Sequence, residues 1–420
     1  MEFKAPRGTK DILPAEIEVW DRLVDTAKSV FGRYGYKRIE TPVFESTGLF
    51  TRAIGETTDI VKKEMYTFKD KKGRELTLRP EETAPVVRAF IEHKMHVEGS
   101  LFKVFYWGPM FRYERPQAGR QRQFWQIGIE AIGSPDAALD AEVIQMAAVY
   151  LHEIGLTGVK IHLNSVGDKC CRPKYTDALK VFLKQESEGF CEDCRIRADT
   201  NPMRVFDCKN RACGAKLREA PVIMRYLCDE CKRHYADVTG YLDDLGIDHV
   251  HDDHLVRGLD YYTRTTFEIK HAGLGAQDAV CAGGRYDDLV KQYGGPESPA
   301  IGFAIGMERA ILAVRTGNDR EEEKSLDGYI IALGDDAKRK GMLLASSLRA
   351  KGIKTAYDFS GKSLKGQMKN ADKAGSRFAV IIGENELKDG SVTIRDMETG
   401  EQRSVPVKEA DTWLTKDSGI

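Results

Sequence analysis

The sequence predicts an α+β core on a mainly antiparallel sheet, a small cysteine-rich helical insertion, and a C-terminal α/β domain. Residues 101–133 contain three strand-like segments in succession, the last two joined by the loop Pro-Gln-Ala-Gly. Strands and helices alternate after residue 328, which is typical of a parallel sheet. Six cysteines lie between positions 191 and 231. At about 150 residues per domain, 420 residues suffice for about three domains.

The core elements follow from apolar spacing. Residues 15–35 have the i, i+3, i+4 pattern of an amphipathic helix, ended by Gly32 and Gly35. Residues 36–44 read as a strand that Pro42 confines to an edge. Further strands are predicted at 75–78, 159–163, 265–270 and 300–305, and helices at 81–93, 135–155 and from residue 307.

The C-terminal part begins after a polar, charged segment at 316–327, which we interpret as a linker. Beyond it, strands are predicted at 329–334, 353–357 and 378–383, with helices at 336–351 and 363–374, then a hairpin and a terminal helix. The resulting domains are 1–167 and 241–320 for the two parts of the core, 168–240 for the insertion, and 328–420 for the C-terminal domain.

The charge of the chain is balanced, with 64 basic and 65 acidic residues, so nucleic-acid affinity would need a local patch. Residues 338–377 contain eleven Lys or Arg and two acids, Asp358 and Asp372, which is a net charge of 11 − 2 = +9. This pattern favours a phosphate-binding surface over an ordinary solvated helix face. No apolar run approaches the roughly 18 residues of a membrane span, and the first residues do not resemble a signal peptide. We therefore expect a cytoplasmic protein with no membrane partner.

Phosphate binding cannot rest on a glycine loop, because no P-loop is present and Gly273-Leu274-Gly275 lacks a third glycine. Arginines on strands are the substitute, since a guanidinium matches phosphate oxygens bidentately. Strand alternation in 122–132 places Phe124, Gln126, Gly128 and Glu130 on one face. The other face is apolar. From periodicity alone, the polar face is either a site or a solvated outer surface.

A resemblance decides between these readings. FRYERPQAGRQRQFWQIGIEAIG at 111–133 resembles motif 2 of class II aminoacyl-tRNA synthetases, in the form of the histidyl-tRNA synthetase family. LVRGLDYYTRTTFE at 255–268 resembles the histidine-specific signature of that family, and GFAIGMERAIL at 302–312 is similar to motif 3. GYKRIETPVFE at 35–45 is similar to motif 1, which forms a dimer interface. PRGTKDILP, LRPEETA and GGRYD also fit, so the match covers nearly the whole chain in order.

The resemblance implies roles for individual residues. Catalytic roles fall to Arg112 and Arg257, both beside the ATP α-phosphate. The implied ATP-binding residues are Arg112, Glu114, Phe124 and Arg309; the implied histidine-binding residues are Glu81, Thr83, Arg112, Gln126, Glu130, Arg257, Tyr261, Tyr262 and Tyr286; the implied contacts to the tRNA acceptor end are Arg115, Gln117 and Arg120. Glu82 departs from the family pattern, in which a small residue is common at this position. The resemblance therefore does not predict the backbone conformation at Glu82.

The cysteines form a candidate metal site. Cys191-x-x-Cys194 and Cys228-x-x-Cys231 have the spacing of a closed tetrahedral zinc site, and Cys208 with Cys213 could replace one pair. The family resemblance does not itself imply a metal, and buried free thiols are the alternative. We expect Cys170, Cys171 and Cys281 to be unpaired.

The resemblance implies a histidine–tRNA ligase that forms histidyl-adenylate from L-histidine and ATP with Mg²⁺, and then charges tRNA(His). It also implies a homodimer, and it implies that the domain at 328–420 binds the anticodon of the tRNA. One alternative is the synthetase-like regulatory subunit of histidine biosynthesis, which typically lacks the anticodon domain and a complete catalytic signature. A second is a zinc-bearing nucleic-acid-binding protein without catalysis, which would not require the R-G-L-D-Y-Y run at 257–262.

Overall fold

The computed structural model describes residues 3–55, 58–97, 99, 101–275, 278–315 and 326–415. The chain divides into two compact units, Met1–Asn318 and Asp319–Ile420. Most of the predicted linker at 316–327 lies outside the described residues. No helix among the described residues is both long enough and apolar enough to cross a bilayer.

The first unit contains eleven described strands and ten described α-helices. The strands are β1 Lys37–Arg38, β2 Phe44–Ser46, β3 Tyr66–Lys69, β4 Glu75–Leu78, β5 Phe102–Phe111, β6 Gln123–Ile132, β7 Val159–Ser165, β8 His249–His251, β9 Thr263–His271, β10 Ala279–Arg285 and β11 Ala300–Gly306. The helices are α1 Pro14–Arg33, α2 Thr47–Ile54, α3 Thr83–Glu92, α4 Ala137–Glu153, α5 Arg172–Gln185, α6 Glu192–Thr200, α7 Arg211–Leu217, α8 Asp229–Asp244, α9 Leu289–Gln292 and α10 Met307–Arg315.

The large sheet of this unit is mainly antiparallel, as the sequence predicts. Its eight strands are ordered β1-β5-β6-β11-β10-β9-β7-β8. Parallel pairing occurs only at the two edges, between β1 and β5 and between β7 and β8. Every interior pairing is antiparallel. The predicted fold class of the core is therefore confirmed.

Two strand predictions need correction. The segments 101–107 and 110–115 were expected to be separate strands, but β5 runs unbroken through Gly108 and Pro109, which pair with Gln126 and Trp125. The predicted strand at 36–44 is divided between β1 and β2, which belong to different sheets. Pro42 lies between them and cannot donate a ladder hydrogen bond, which is consistent with this break.

The apolar face of β6 forms the core of the unit. Ile127 and Ile129 are fully buried in one cluster with side chains of α1 and α4. Phe31 of α1 contacts both Tyr150 of α4 and Phe303 of β11, with ring centroids 5.3 and 5.8 Å apart. The alternation read from the sequence therefore identifies the buried face correctly, and the polar face of β6 points away from this helical layer.

A buried ion pair joins α4 to the end of β10. Asp140 and Arg285 are both completely buried, and Arg285 Nε lies 2.8 Å from Asp140 Oδ1. His234 of α8 contacts the other carboxylate oxygen at 2.9 Å. Arg285 and His234 hold the pKa of Asp140 below its usual value, even though burial alone would raise that pKa. The pair, together with His234, therefore joins the end of β10 to α4 and α8, which pack in the same core.

The insertion has a small core of its own. Helices α5, α6 and α7 and the 3₁₀ turn Pro202–Asp207 enclose buried apolar side chains such as Leu179, Val205 and Leu217. Four buried cysteines belong to the same cluster, namely Cys171, Cys194, Cys213 and Cys231. Thiols therefore form a large part of the interior of the insertion.

The second unit has the predicted α/β architecture. Its elements are β12 Leu326–Ala332, α11 Asp335–Ala350, β13 Thr355–Tyr357, α12 Leu364–Lys373, β14 Ser376–Ile382, α13 Glu384–Asp389, β15 Ser391–Asp396, β16 Gln402–Pro406 and α14 Ala410–Thr415. The strand order is β13-β12-β14-β15-β16. The first three strands are parallel, and β15 and β16 form the predicted antiparallel hairpin.

Candidate active site

The polar face of β6 borders a cavity of about 370 Å³ in the first unit. All but one of the residues predicted to bind ATP or histidine line it: Glu81, Thr83, Arg112, Glu114, Phe124, Gln126, Arg257, Tyr261, Tyr262, Tyr286 and Arg309. They come from separate segments of the chain that only the folded sheet brings together. The polar face of β6 is therefore the floor of a site and not a solvated surface.

Glu130 is the exception: it is 1% exposed and does not itself line the cavity, although its hydrogen-bond partners do. It accepts hydrogen bonds from Thr83 Oγ1 at 2.7 Å and Tyr106 Oη at 3.4 Å, and a third from the Tyr286 hydroxyl. Burial raises the pKa of Glu130 to about 8, against the effect of these donors. Three hydroxyl groups that border the cavity are thus held by one buried carboxyl group.

Two glycines create the space that Glu130 occupies. A Cβ on Gly302 of β11 would lie 1.9 Å from Glu130 Oε2, and one on Gly128 of β6 would lie 2.4 Å from the Tyr106 hydroxyl. Gly302 is the register partner of Glu130 across the two strands. A side chain at either position would displace the carboxyl group or a hydroxyl that holds it.

Glu81 sits at the N-terminus of α3, where its carboxylate accepts the backbone N–H groups of Thr83 at 2.7 Å and Ala84 at 3.0 Å. Burial raises its pKa, and the two backbone donors oppose that effect. The neighbouring Glu82 forms a buried ion pair with Arg79 at 2.8 Å. Its side chain is held by this pair and by Thr41 Oγ1 at 2.7 Å. The charge of Glu82, a residue that departs from the family pattern, is therefore compensated by the buried guanidinium of Arg79.

The arginines of the cavity are positioned mainly through backbone oxygens. Arg112 Nε donates to the carbonyl of Pro80 at 2.9 Å, and its guanidinium lies 5.2 Å from the ring centre of Phe124. Arg309 Nη1 donates to the carbonyl of Ala279 at 2.9 Å. Burial, reinforced by the nearby Arg120, lowers the pKa of Arg309. This concentration of positive charge favours an anionic ligand.

Arg257 and Gln126 carry hydrogen-bonding atoms that the described residues leave unused. Arg257 pairs with Glu268 through Nη1, but its buried Nε has no partner within the described chain. Gln126 Oε1 is likewise buried and unpartnered among the described residues. Buried polar atoms are rarely left unsatisfied, so both atoms point to a bound polar ligand.

The loop after β5 carries the residues predicted to contact tRNA. Arg115 and Gln117 are exposed, and Gln117 forms an isolated β-bridge with Arg120. Arg120 Nη1 lies 2.5 Å from Glu114, so this pair links the loop to the edge of the cavity. Of the three candidates, Arg120 alone lines the cavity, while Arg115 and Gln117 face outward.

Sequence reasoning missed several residues of this site. Tyr106, Glu268 and Glu308 all line the cavity. Both carboxylate oxygens of Glu308 lie 3.1 Å from the backbone nitrogen of Trp125, and burial raises its pKa to about 7. Glu268 and Glu308 lie inside the segments that resemble family motifs, together with Arg257 and Arg309. Their position in those motifs was the signal that could have identified them. Tyr106 carried no such signal.

The structure does not bring Cys191, Cys194, Cys228 and Cys231 together as one set; it brings together the alternative in which Cys208 and Cys213 replace the second pair. Cys191 and Cys194 lie with Cys208 and Cys213, whereas Cys228 and Cys231 lie with Cys171 and Asp168. The two C-x-x-C pairs begin different helices, α6 and α8, which hold them in separate clusters. Cys171, expected to be unpaired, thus belongs to a cluster, and all nine cysteines are free thiols.

Comparisons with known proteins agree with the site. A family model described as histidyl-tRNA synthetase matches residues 8–167 and 215–310, and one described as anticodon binding domain matches 327–417. A histidine–tRNA ligase of Halothermothrix orenii is 52% identical over 403 residues, 96% of each chain. One of Natranaerobius thermophilus is 47% identical over the full length of both. The crystal structure of apo S. aureus histidyl-tRNA synthetase has a TM-score of 0.83 and 40% identity, covering 98% of this chain and 99% of that one.

Proposed function

The chain belongs to the histidyl-tRNA synthetase family and is a histidine–tRNA ligase, and from this premise we propose how its residues perform the reaction. The observation that carries the proposal is one cavity that combines four arginines, two buried polar atoms that no described residue satisfies, and hydroxyls held by a buried carboxyl group. Neither alternative function requires that combination. The two relatives described above, which match 96% and 100% of this chain, are themselves called histidine–tRNA ligases.

Histidine is recognised in the half of the cavity that adjoins Glu130. A carboxylate has about four acceptor sites, and three hydroxyls occupy three of them, which leaves one for an imidazole N–H. An imidazole N–H at that position would stabilise the ionised carboxylate and so oppose the burial that raises the pKa of Glu130 to about 8. Gln126 Oε1 offers a second acceptor beside them. A side chain without ring N–H groups would leave these atoms unpaired.

ATP occupies the arginine-rich half. Phe124 provides an aromatic face for the adenine, and Glu114 accepts from the base. Arg112 and Arg257 lie against the α-phosphate, and Arg309 binds the terminal phosphate. The Nε of Arg257, which no described residue satisfies, supports this assignment, because an anionic oxygen would satisfy it.

The carboxylates of the cavity fit Mg²⁺. The ion takes oxygen ligands and is commonly held by one or two carboxylates together with substrate phosphates. Glu268 and Glu308 line the cavity and supply such oxygens. When bound, Mg²⁺ neutralises negative charge on the phosphates. Glu308 also holds the Trp125 backbone N–H, so it anchors β6 at the same time.

The reaction needs no enzyme nucleophile. The carboxylate of histidine attacks the α-phosphorus of ATP, the bond to the β-phosphate oxygen breaks, and pyrophosphate leaves. A terminal ribose hydroxyl of tRNA then attacks the acyl carbon and gives up its proton, and AMP leaves with the electron pair of the mixed anhydride bond. Arg112 and Arg257 stabilise the charge that develops at phosphorus, while the histidine pocket orients the attacking carboxylate.

The second unit provides the tRNA-binding surface. Ten of the eleven Lys and Arg side chains in 338–377 are exposed, while Asp358 is buried and bonded to Tyr329 and Asn370. Phe359 is 77% exposed and lies within the basic segment 338–377, three positions before Lys362 in the sequence. Exposed aromatic rings among cations are typical of single-stranded RNA binding. We propose that Phe359 stacks on an anticodon-loop base.

Homodimerisation is proposed through the small sheet β2-β4-β3. Its side chains Phe44 and Phe68 are 47% and 43% exposed, and their rings contact each other at 6.3 Å. Such exposed aromatic pairs favour burial against another surface. The molar mass can be measured by light scattering at micromolar protein concentration. A value that corresponds to one chain would contradict this proposal. A cytoplasmic location follows from the proposed substrates, tRNA and ATP.

The test is histidine-dependent exchange of pyrophosphate into ATP, followed by charging of tRNA(His). We expect exchange with histidine and none with the other standard amino acids. Absence of exchange would favour the regulatory subunit or the non-catalytic binder. Exchange without tRNA charging would contradict only the assignment of the second unit.

A further inference from the structure

The insertion contains two separate groups of metal-ligating side chains. The first cluster consists of Cys191, Cys194, Cys208 and Cys213, and the second of Asp168, Cys171, Cys228 and Cys231. Within each cluster, the four ligand atoms all lie within 4.8 Å of one another. Each cluster is therefore a complete set of four ligands.

The first cluster has the geometry of a tetrathiolate site. Cys191 Sγ and Cys208 Sγ are 3.7 Å apart, close to the ~3.8 Å edge of a tetrahedron with 2.3 Å zinc–sulfur bonds. Backbone N–H groups point at two of the sulfurs: Cys191 N to Cys213 Sγ at 3.3 Å and Asn210 N to Cys208 Sγ at 3.4 Å. Such donors stabilise thiolates in a ligand shell.

Local structure explains why these four sulfurs meet. Cys191 and Cys194 stand at the start and in the first turn of α6, so both face the same side. Cys208 and Cys213 flank the start of α7, where Asn210 caps the helix by accepting Ala212 N–H at 2.9 Å. Cys194 and Cys213 are fully buried, and the other two are partly exposed.

The second cluster is built in the same way from other elements. Cys228 and Cys231 begin α8, and Cys171 precedes α5. Cys171 Sγ and Cys231 Sγ are 3.8 Å apart, and Asp168 N–H donates to Cys171 Sγ at 3.2 Å. Three sulfurs and one carboxylate are also an acceptable donor set for zinc.

We propose that the insertion binds two structural Zn²⁺ ions, one in each cluster. Both sets are closed by four protein ligands, which is typical of structural and not catalytic zinc. The thiols give up their protons as the metal binds, so loading releases protons to solvent. A core as small as that of the insertion gains much of its stability from such ions.

Both clusters flank segments that hold the histidine signature in place. Between Cys194 and Cys208, the side chain of Arg204 donates to the backbone carbonyl of Arg257 at 2.6 Å and to Asp260 at 2.7 Å. Directly after Cys171, Arg172 donates to the carbonyl of Tyr262 at 2.5 Å. The ions therefore act on catalysis indirectly, by ordering residues that position the 257–262 loop.

Metal analysis of the full chain, purified without chelators, tests the proposal. We expect two zinc ions per chain for the wild type, one for Cys208→Ser and one for Cys231→Ser. Cys170→Ser is the matched control, because Cys170 is exposed and outside both clusters, and it should retain two. One ion or none in the wild type, after supply of excess Zn²⁺, overturns the two-ion proposal.

A second readout does not depend on variants that fold poorly. Replacing zinc with Co²⁺ in the wild-type chain should produce the visible absorption of tetrahedral cobalt–thiolate centres. Absence of that absorption in a folded, cobalt-treated chain overturns the proposal. Chelation should also lower the thermal midpoint of wild type and Cys170→Ser alike, with zinc restoring it; an unchanged midpoint contradicts the structural role.

Discussion

Replacement of Glu130 by Gln tests the recognition of histidine most directly. The variant keeps the size of the side chain but removes the charge that accepts the imidazole N–H. A hydrogen bond to a charged group contributes about 1.5–3 kcal/mol, and each 1.4 kcal/mol corresponds to a tenfold change. We therefore expect kcat/KM for histidine in pyrophosphate exchange to fall by about 10- to 150-fold. The KM for ATP should remain within about twofold.

A matched variant on the other side of the cavity separates local from general effects. Glu114→Gln alters a carboxylate beside Arg120, on the ATP side of the site. We expect it to raise the KM for ATP and to leave kcat/KM for histidine at saturating ATP nearly unchanged. If Glu130→Gln retains the wild-type kcat/KM for histidine, or if both variants show the same profile, the assignment of Glu130 is refuted.

Three further predictions concern other parts of the molecule. Arg257→Ala should lose at least about a hundredfold in exchange rate, because a charge-assisted contact to phosphate is removed, with an unchanged circular dichroism spectrum; near-wild-type exchange would refute the role. Asp140→Asn should lose about 3–5 kcal/mol in urea unfolding at pH 7, since it leaves Arg285 buried without its main counter-charge. The pKa of Asp140 is lowered in the folded state, so its ionised carboxylate stabilises the fold above about pH 4, and this stabilisation is lost as the pH falls through the folded pKa. The difference in free energy of unfolding between Asp140→Asn and wild type should therefore become smaller in acid. A difference that stays constant with pH would contradict this. Phe359→Ala should raise the KM for tRNA several-fold in charging assays and leave pyrophosphate exchange unaltered; an equal loss in both assays would argue against stacking.

The sequence was sufficient to predict much of the site because period-two alternation determines which side chains of β6 share a face. Phe124 and Gln126 reach the cavity while Ile127 and Ile129 reach the core. Residues distant in sequence, such as Arg257 and Arg309, could be assigned only through the motif resemblance, because no local pattern shows that they meet.

Other features depend on three-dimensional packing. The covering of Glu130 by Tyr106 depends on the register between β5 and β6 and on the missing side chains of Gly128 and Gly302. Sequence analysis therefore could not predict that the carboxyl group of Glu130 is almost completely covered by hydroxyls that line the cavity. The two C-x-x-C pairs were grouped together incorrectly for the same reason. The pairs have identical spacing, and that spacing does not show which other ligands the folded chain brings near each pair.

Helix α8 contributes side chains to two hydrophobic cores, that of the insertion and that of the large sheet. Its first turn supplies Cys231 to the core of the insertion, and further along Val238 and Leu242 are fully buried in the main core. Because α8 is a continuous helix packed in both cores, a movement of one end moves the other. Any tilt of the insertion would therefore shift the packing beneath the large sheet. An excised or transplanted insertion should accordingly keep this helix whole, because a boundary at residue 240 would divide it and a boundary before it would remove Cys228 and Cys231 from the second cluster.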